Sequence, residues 1–260
     1  MNEWRGARRG DRERILNLPG VVSLVLGVLA AIQLVMSALP TAAVEAVYVE
    51  LAFVPGRIAF AFWPEAAAQA IAQQLHADAA DIAGELGALP TPWWTFLTYA
   101  LLHGGWTHLA INGVTLAAFG SPLARRFGDV RFLVFLALTA IAGAAAHLLV
   151  HPFDLAPVVG ASAAISGTMA ASARFAFAQF RAEGEPSASP QGASLAELWR
   201  NRQALTFVAV WFGVNLLFGL FPQATGESEL IAWEAHVGGF AAGLLLFGVL
   251  DPRAAERRAI

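Results

Sequence analysis

The 260-residue chain contains no cysteine and no lysine, and charged side chains make up only 13% of it. The first absence excludes disulfides and cysteine-ligated metal sites. The second leaves arginine as the basic residue throughout, sixteen against nineteen acids. A soluble domain of this length carries about twice that charged share. No internal repeat is visible either, which counts against an inverted-repeat transporter.

What the chain does have is hydrocarbon: 57% hydrophobic residues and a mean hydropathy of +0.59. Residues 20–39, 130–150, 160–180, 204–222 and 232–250 form blocks near 20 residues long with almost no charge. That length crosses a bilayer core of roughly 30 Å as a helix. A sixth block, 94–120, is interrupted by Thr95, His103, Thr107, His108 and Asn112. The runs are continuous rather than alternating, so helices and not barrel strands satisfy the backbone in lipid. The expectation is an all-α polytopic membrane protein with six transmembrane helices.

Arginine placement sets the orientation. Residues 1–19 hold five arginines, whereas 41–93 holds Arg57 alone against six acids. Arg125, Arg126 and Arg131 follow the 94–120 block, and 151–160 has no arginine. Arg181, Arg200 and Arg202 come next, 223–234 has none, and Arg253, Arg257 and Arg258 end the chain. By the positive-inside rule this alternation puts both termini in the cytoplasm, a parity that six spans satisfy. The apolar run 20–39 is long for a signal peptide, and removing it would break the alternation. The organisation expected is a cytoplasmic N-terminus (1–19), a membrane domain (20–250) and a cytoplasmic tail (251–260). Within the domain, 41–93 is an interfacial outer loop with an amphipathic helix over 65–86, and 181–203 is a cytoplasmic linker. Trp63, Trp93, Trp94, Trp106 and Trp233 fall near the outer ends, as an aromatic belt does.

Polar side chains inside membrane helices are expensive and mark functional positions. The topology places Ser162 at the outer end of the fourth helix and His236 near the outer end of the sixth. His103 and His108 fall in the outer part of the second. A serine hydroxyl becomes a nucleophile when a neighbouring base takes its proton. Ser162 would stand in the first turn of its helix, two residues after Gly160, where backbone donors are free to stabilise an oxyanion. His108 and Asn112 are four apart on one face and both can donate. Gly239 and Gly243 form a small-xxx-small stripe that allows close helix contact. The stretch after Ser162 is equally small, so helices four and six can bring Ser162 to His236. Ser166, four residues on, is a rival whose own N–H is committed to the helix.

The stretches "LLHGGWTHLAIN", "GASAAISG" and "AHVGGFAAG", in that order, resemble the rhomboid family of intramembrane serine proteases. The resemblance covers about residues 20–250. It implies a six-helix bundle and a dyad without an acid, with Ser162 as nucleophile and His236 as general base. It also implies His108, Asn112 and the Ser162 N–H as oxyanion donors, with His103 supporting them; Gly160, Gly239 and Gly243 are supporting positions. Ala163 and Ser166 depart from the usual G-A-S-G-A-I-F-G form. The activity implied is cleavage of a transmembrane segment of another membrane protein near the outer face. The composition, arginine-only and alanine-rich, points to a bacterial inner membrane. The partners expected are a transmembrane protein substrate and the lipid bilayer, with no nucleic acid, metal or cofactor. A non-catalytic relative that binds transmembrane helices is the alternative, and it would be expected to lack Ser162 or His236.

The remaining polar residues are expected to be structural. His76, His147 and His151 read as loop or headgroup residues and Glu234 as a solvated loop charge. Asn215 reads as an interhelical donor. Arg174 is expected to snorkel toward the cytoplasmic side.

Overall fold

A computed structural model describes residues 17–177, 192–220 and 232–252. Most of the N-terminal segment, residues 178–191 of the linker region, the 223–231 part of the outer loop and the tail from 253 lie outside the described residues. The described chain is helical, with one isolated antiparallel bridge between Phe53 and Val158.

Among the described residues, three helices are long and apolar enough to cross a bilayer: α1 (Gly20–Ala38), α9 (Asp129–Val150) and α13 (Trp233–Leu250). Only 28%, 39% and 33% of their apolar windows are buried inside the protein. A helix apolar on all sides and mostly uncovered is stable only where the surroundings are themselves apolar. Leu24, Leu34, Val130, Leu149, Leu245 and Val249 are among the side chains left facing outward.

Between α1 and α9 the chain forms several shorter helices. The 41–93 segment folds as α2 (Thr41–Leu51), α3 (Pro55–Phe62), α4 (Pro64–Leu75) and α5 (Ala79–Gly87). The single amphipathic helix expected over 65–86 is therefore two. His76 adopts a left-handed conformation (φ 54°) that ends α4, and the Asp78 side chain accepts from Ala80 N to start α5. Both are ordinary stop and start signals, and they outweigh the continuous alanine-rich pattern. Backbone bonds from Phe53 and Gly56 to Val158 and Asp154 fasten this segment to the 151–160 loop.

The block 94–120 also resolves differently from expectation. Thr95–Thr98 (α6) and a single 3-10 turn at Tyr99–Leu101 precede a break at Gly104 and Gly105. The longer helix begins only at Trp106, as α7 (Trp106–Thr115), and passes through a π turn at Leu116–Gly120 into α8 (Ser121–Phe127). Pro122 explains the π turn, because it lacks an N–H and its ring crowds the preceding turn. Nearby, the Phe119 carbonyl accepts a hydrogen bond from the Ser172 hydroxyl at 2.9 Å.

α10 (Ser162–Ala176) is shorter than the expected 160–180 and is the most enclosed helix, lying against both α9 and α13. Small residues permit this. A Cβ on Gly239 would lie 2.1 Å from the Ala163 carbonyl oxygen, and one on Gly243 2.4 Å from that of Gly167. α11 (Leu195–Leu198) opens on a capping box formed by Ser194 and Glu197, and leads to α12 (Arg202–Leu220). α12 meets α13 through Trp211, stacked on Phe240 at 4.1 Å.

The two ends of the bundle differ in chemistry. At one end the starts of α7, α10 and α13 meet the close of α9. At the other, Arg126 makes a bidentate ion pair with Asp251, at 3.0 and 2.7 Å, beneath Phe247 and Phe175. Arg174 joins this end but does not snorkel. It is buried, donates to the carbonyls of Ala193 and Leu244, and stacks on Phe247. Those carbonyls offer the guanidinium partners that the sequence alone does not reveal.

Candidate active site

The starts of α10 and α13 carry the two residues of chemical interest. The Ser162 hydroxyl lies 2.7 Å from His236 Nε2. The close approach of the two helices at Gly239 and Ala163 makes that distance possible, since Gly239 is one turn below His236 and Ala163 adjoins Ser162.

A third helix orients the imidazole. Asn215 of α12 donates from Nδ2 to the Trp211 carbonyl at 2.8 Å, which turns its Oδ1 toward His236 Nδ1 at 2.5 Å. An amide oxygen can only accept, so Nδ1 carries the proton and Nε2 presents its lone pair to the serine. The chain of donors thus runs from Ser162 O–H to His236 and from His236 N–H to Asn215. The sequence suggests Asn215 as an interhelical donor; in the structure it donates within α12 and is the acceptor for His236. One asparagine in an apolar run has no spaced partner to mark it, and only its polarity at membrane depth pointed to it.

His108 and Asn112 lie on the α7 face beside the 160–162 turn. Gly160 has φ +122°, a region that glycine tolerates and other residues rarely adopt. A Cβ there would sit 2.9 Å from His108 Nε2 and 3.7 Å from Asn112 Nδ2, so the backbone just before Ser162 lies directly against both side chains. Asn112 is buried, and its Nδ2 makes no hydrogen bond among the described residues. A buried donor left unpaired costs free energy unless something supplies an acceptor. The Ser162 N–H belongs to the first residue of α10, where helical N–H groups have no partner within the helix.

His103 lies outside α7, in the turn before it, packed edge-on to His108 with ring centroids 5.1 Å apart. Burial, reinforced by the neighbouring His108, pushes its pKa down to about 4. The ring is therefore neutral near pH 7 and packs as part of the wall behind His108. Ser166 is buried one turn along α10 from Ser162.

Glu234 departs from expectation. It is buried rather than solvated, and accepts from His151 Nε2 at 2.8 Å with His147 Nδ1 at 3.4 Å. His147 is buried as well, while His151 keeps 44% of its side chain exposed. The short 151–160 loop folds over the end of α9, which sequence hydropathy does not register. Separately, a cleft of about 410 Å³ opens between Arg57, Phe60, Leu86 and Pro92 in the 41–93 segment; none of its lining residues belongs to the serine–histidine pair.

Among the described residues the fold is helical, with bilayer-length apolar helices of the kind integral membrane proteins carry and a serine–histidine contact where two helices start. Sequence comparison makes the assignment specific. The rhomboid domain matches residues 90–252, more than half of the chain, and the protein belongs to the rhomboid family. Among similar proteins, "Putative rhomboid protease YdcA" of Bacillus subtilis is 39% identical over 82 residues, covering 32% of this chain and 41% of that protein. "Rhomboid protease GluP" of the same organism is 38% identical over 79 residues, 30% of this chain and 15% of its own length. "Rhomboid-related protein 3" of Homo sapiens is 31% identical over 166 residues, 64% of this chain and 38% of its own. The chain thus spans less than half the length of each of these relatives.

Proposed function

We propose that this protein is an intramembrane serine endopeptidase that hydrolyses a peptide bond in or beside a transmembrane segment of another membrane protein. The 2.7 Å contact between Ser162 Oγ and His236 Nε2 carries this reading. His236 takes the serine proton as Oγ attacks the scissile carbonyl, then delivers it to the departing amine. A water molecule follows the same path in reverse to release the acyl group and restore Ser162. The tetrahedral oxyanion is received by the Ser162 N–H, Asn112 Nδ2 and His108, groups fixed before the substrate arrives. The unpaired Asn112 donor gains the acceptor it lacks at that moment.

Six spans with both termini cytoplasmic are part of the same proposal, supported by the alternation of arginine-rich and arginine-poor segments. In that orientation the site opens toward the outer face of a bacterial inner membrane. A substrate helix would approach laterally past α12, whose Val210, Phe212, Val214 and Leu217 face outward. Purified protein in liposomes, supplied with a model transmembrane substrate, tests the reading. Cleavage that is lost in Ser162→Ala and in His236→Ala is expected. Cleavage surviving either change removes the dyad, and no cleavage of any of several substrates favours the helix-binding alternative.

A further inference from the structure

A second polar cluster lies at the same end of the bundle, on the far side of the first turn of α13. Glu234 precedes His236 by two residues, about 200° around a helix, so one faces α9 while the other faces α10. His147 and His151 are four apart at the close of α9, and their ring centroids stand 5.2 Å apart. The Glu234 carboxylate reaches both, with Oε1 2.8 Å from His151 Nε2 and Oε2 3.4 Å from His147 Nδ1.

His147 is the informative member. Its residue is 5% exposed, and neither ring nitrogen makes a hydrogen bond among the described residues. An unsatisfied nitrogen on a buried imidazole is costly; here Nε2 has no partner among the described residues, and Nδ1 has only the 3.4 Å approach to a carboxylate already engaged by a second imidazole. One ligand atom from each of the three residues lies within 4.8 Å of the others.

We propose that His147, His151 and Glu234 bind a divalent transition-metal ion, zinc in the first instance. Two imidazoles and a carboxylate form a ligand set that zinc takes with one position left open. Magnesium and calcium call for oxygen ligands instead. Zinc bonds of about 2.0–2.2 Å place tetrahedral ligand atoms roughly 3.3–3.5 Å apart. The two contacts use different carboxylate oxygens; with Oε2 as the ligand, its 3.4 Å separation from His147 Nδ1 already matches. With one ligand atom from each residue, every separation is within 4.8 Å, so none closes by more than about 1.4 Å, within reach of a rotation of the half-exposed His151 ring. The bound ion would clamp the end of α9 to the turn of α13 that leads into His236.

This site shares no residue with the dyad and is read by metal content rather than proteolysis, so it stands or falls separately. The full chain, purified with an affinity tag free of histidine and stripped with a chelator, is titrated with Zn²⁺. Elemental analysis gives the metal bound per chain, and Co²⁺ substitution reports tetrahedral nitrogen and oxygen ligation by its visible bands. One ion per chain is expected in the wild type and equally in Ser162→Ala. His151→Gln, altered at a half-exposed ring, should weaken binding about a hundredfold or more while the metal-free chain still unfolds cooperatively. The double change His147→Gln with Glu234→Gln should abolish binding. No zinc bound by the wild type, or zinc retained unchanged in His151→Gln, overturns the proposal. His151→Gln decides alone if the double variant does not fold.

Discussion

Gly239→Ala probes whether the close contact of α10 and α13 is what holds the serine against the histidine. The added Cβ would lie 2.1 Å from the Ala163 carbonyl oxygen and 2.7 Å from its carbon, both backbone atoms. No side chain can rotate away to relieve that contact. Restoring an ordinary separation requires the helices to part by about 1 Å, since interiors are packed without slack. The Ser162–His236 contact, now 2.7 Å, would then stretch to about 3.7 Å, beyond hydrogen-bonding range. Misplacement of about 1 Å at reacting groups costs about a hundredfold in rate, and overpacking costs a further 1–3 kcal/mol, roughly, in stability. The assay is cleavage of a model transmembrane substrate in liposomes, with thermal unfolding measured in parallel. Gly27→Ala on α1, where a Cβ meets nothing within 4 Å, is the control and should match wild type. Wild-type turnover and unchanged unfolding in Gly239→Ala would refute the contact as the positioning element.

Three other outcomes follow from the same geometry. Asn112→Ala removes the unpaired donor and should lower kcat about 10²–10³-fold with little change in KM, which steady-state kinetics would show. Asn215→Leu removes the acceptor that fixes the His236 tautomer; loss of a hydrogen bond of about 1–2 kcal/mol predicts a kcat about five- to thirtyfold lower, with substrate binding preserved. His103 should make the fold acid-sensitive. Its pKa is about 4 when folded against 6.5 normally, so between those values the unfolded chain binds the extra proton and acidification favours unfolding. The stability lost between pH 7 and pH 4 is at most roughly 3 kcal/mol. Comparing melting curves of wild type and His103→Gln across that range checks it, and identical pH dependence in the two would count against the assignment.

The apolar blocks were legible because membrane helices advertise themselves by uninterrupted length, and α1, α9 and α13 lie close to the expected bounds. The residues now gathered around Ser162 were legible for a different reason. They fall in three local patterns, and four-residue spacing survives in a linear sequence. What stayed hidden depends on pairings between distant positions. Glu234 meets His151 across 83 residues, and Asn215 meets His236 across 21. Neither pairing leaves a periodic trace. Arg174 looked like a snorkelling side chain because its partners are backbone carbonyls, which no sequence pattern displays. The delayed start of α7 and its π turn reflect Gly104, Gly105 and Pro122 acting inside a run that hydropathy treats as uniform.

The central claim is that Ser162, and not Ser166, is a hydroxyl activated by His236. Labelling the purified protein with a fluorophosphonate and locating the adduct by peptide mass spectrometry tests it most directly. The account predicts a single adduct on Ser162, unaffected by Ser166→Ala and lost in His236→Ala. An adduct on Ser166, or labelling of Ser162 that persists without His236, would contradict it.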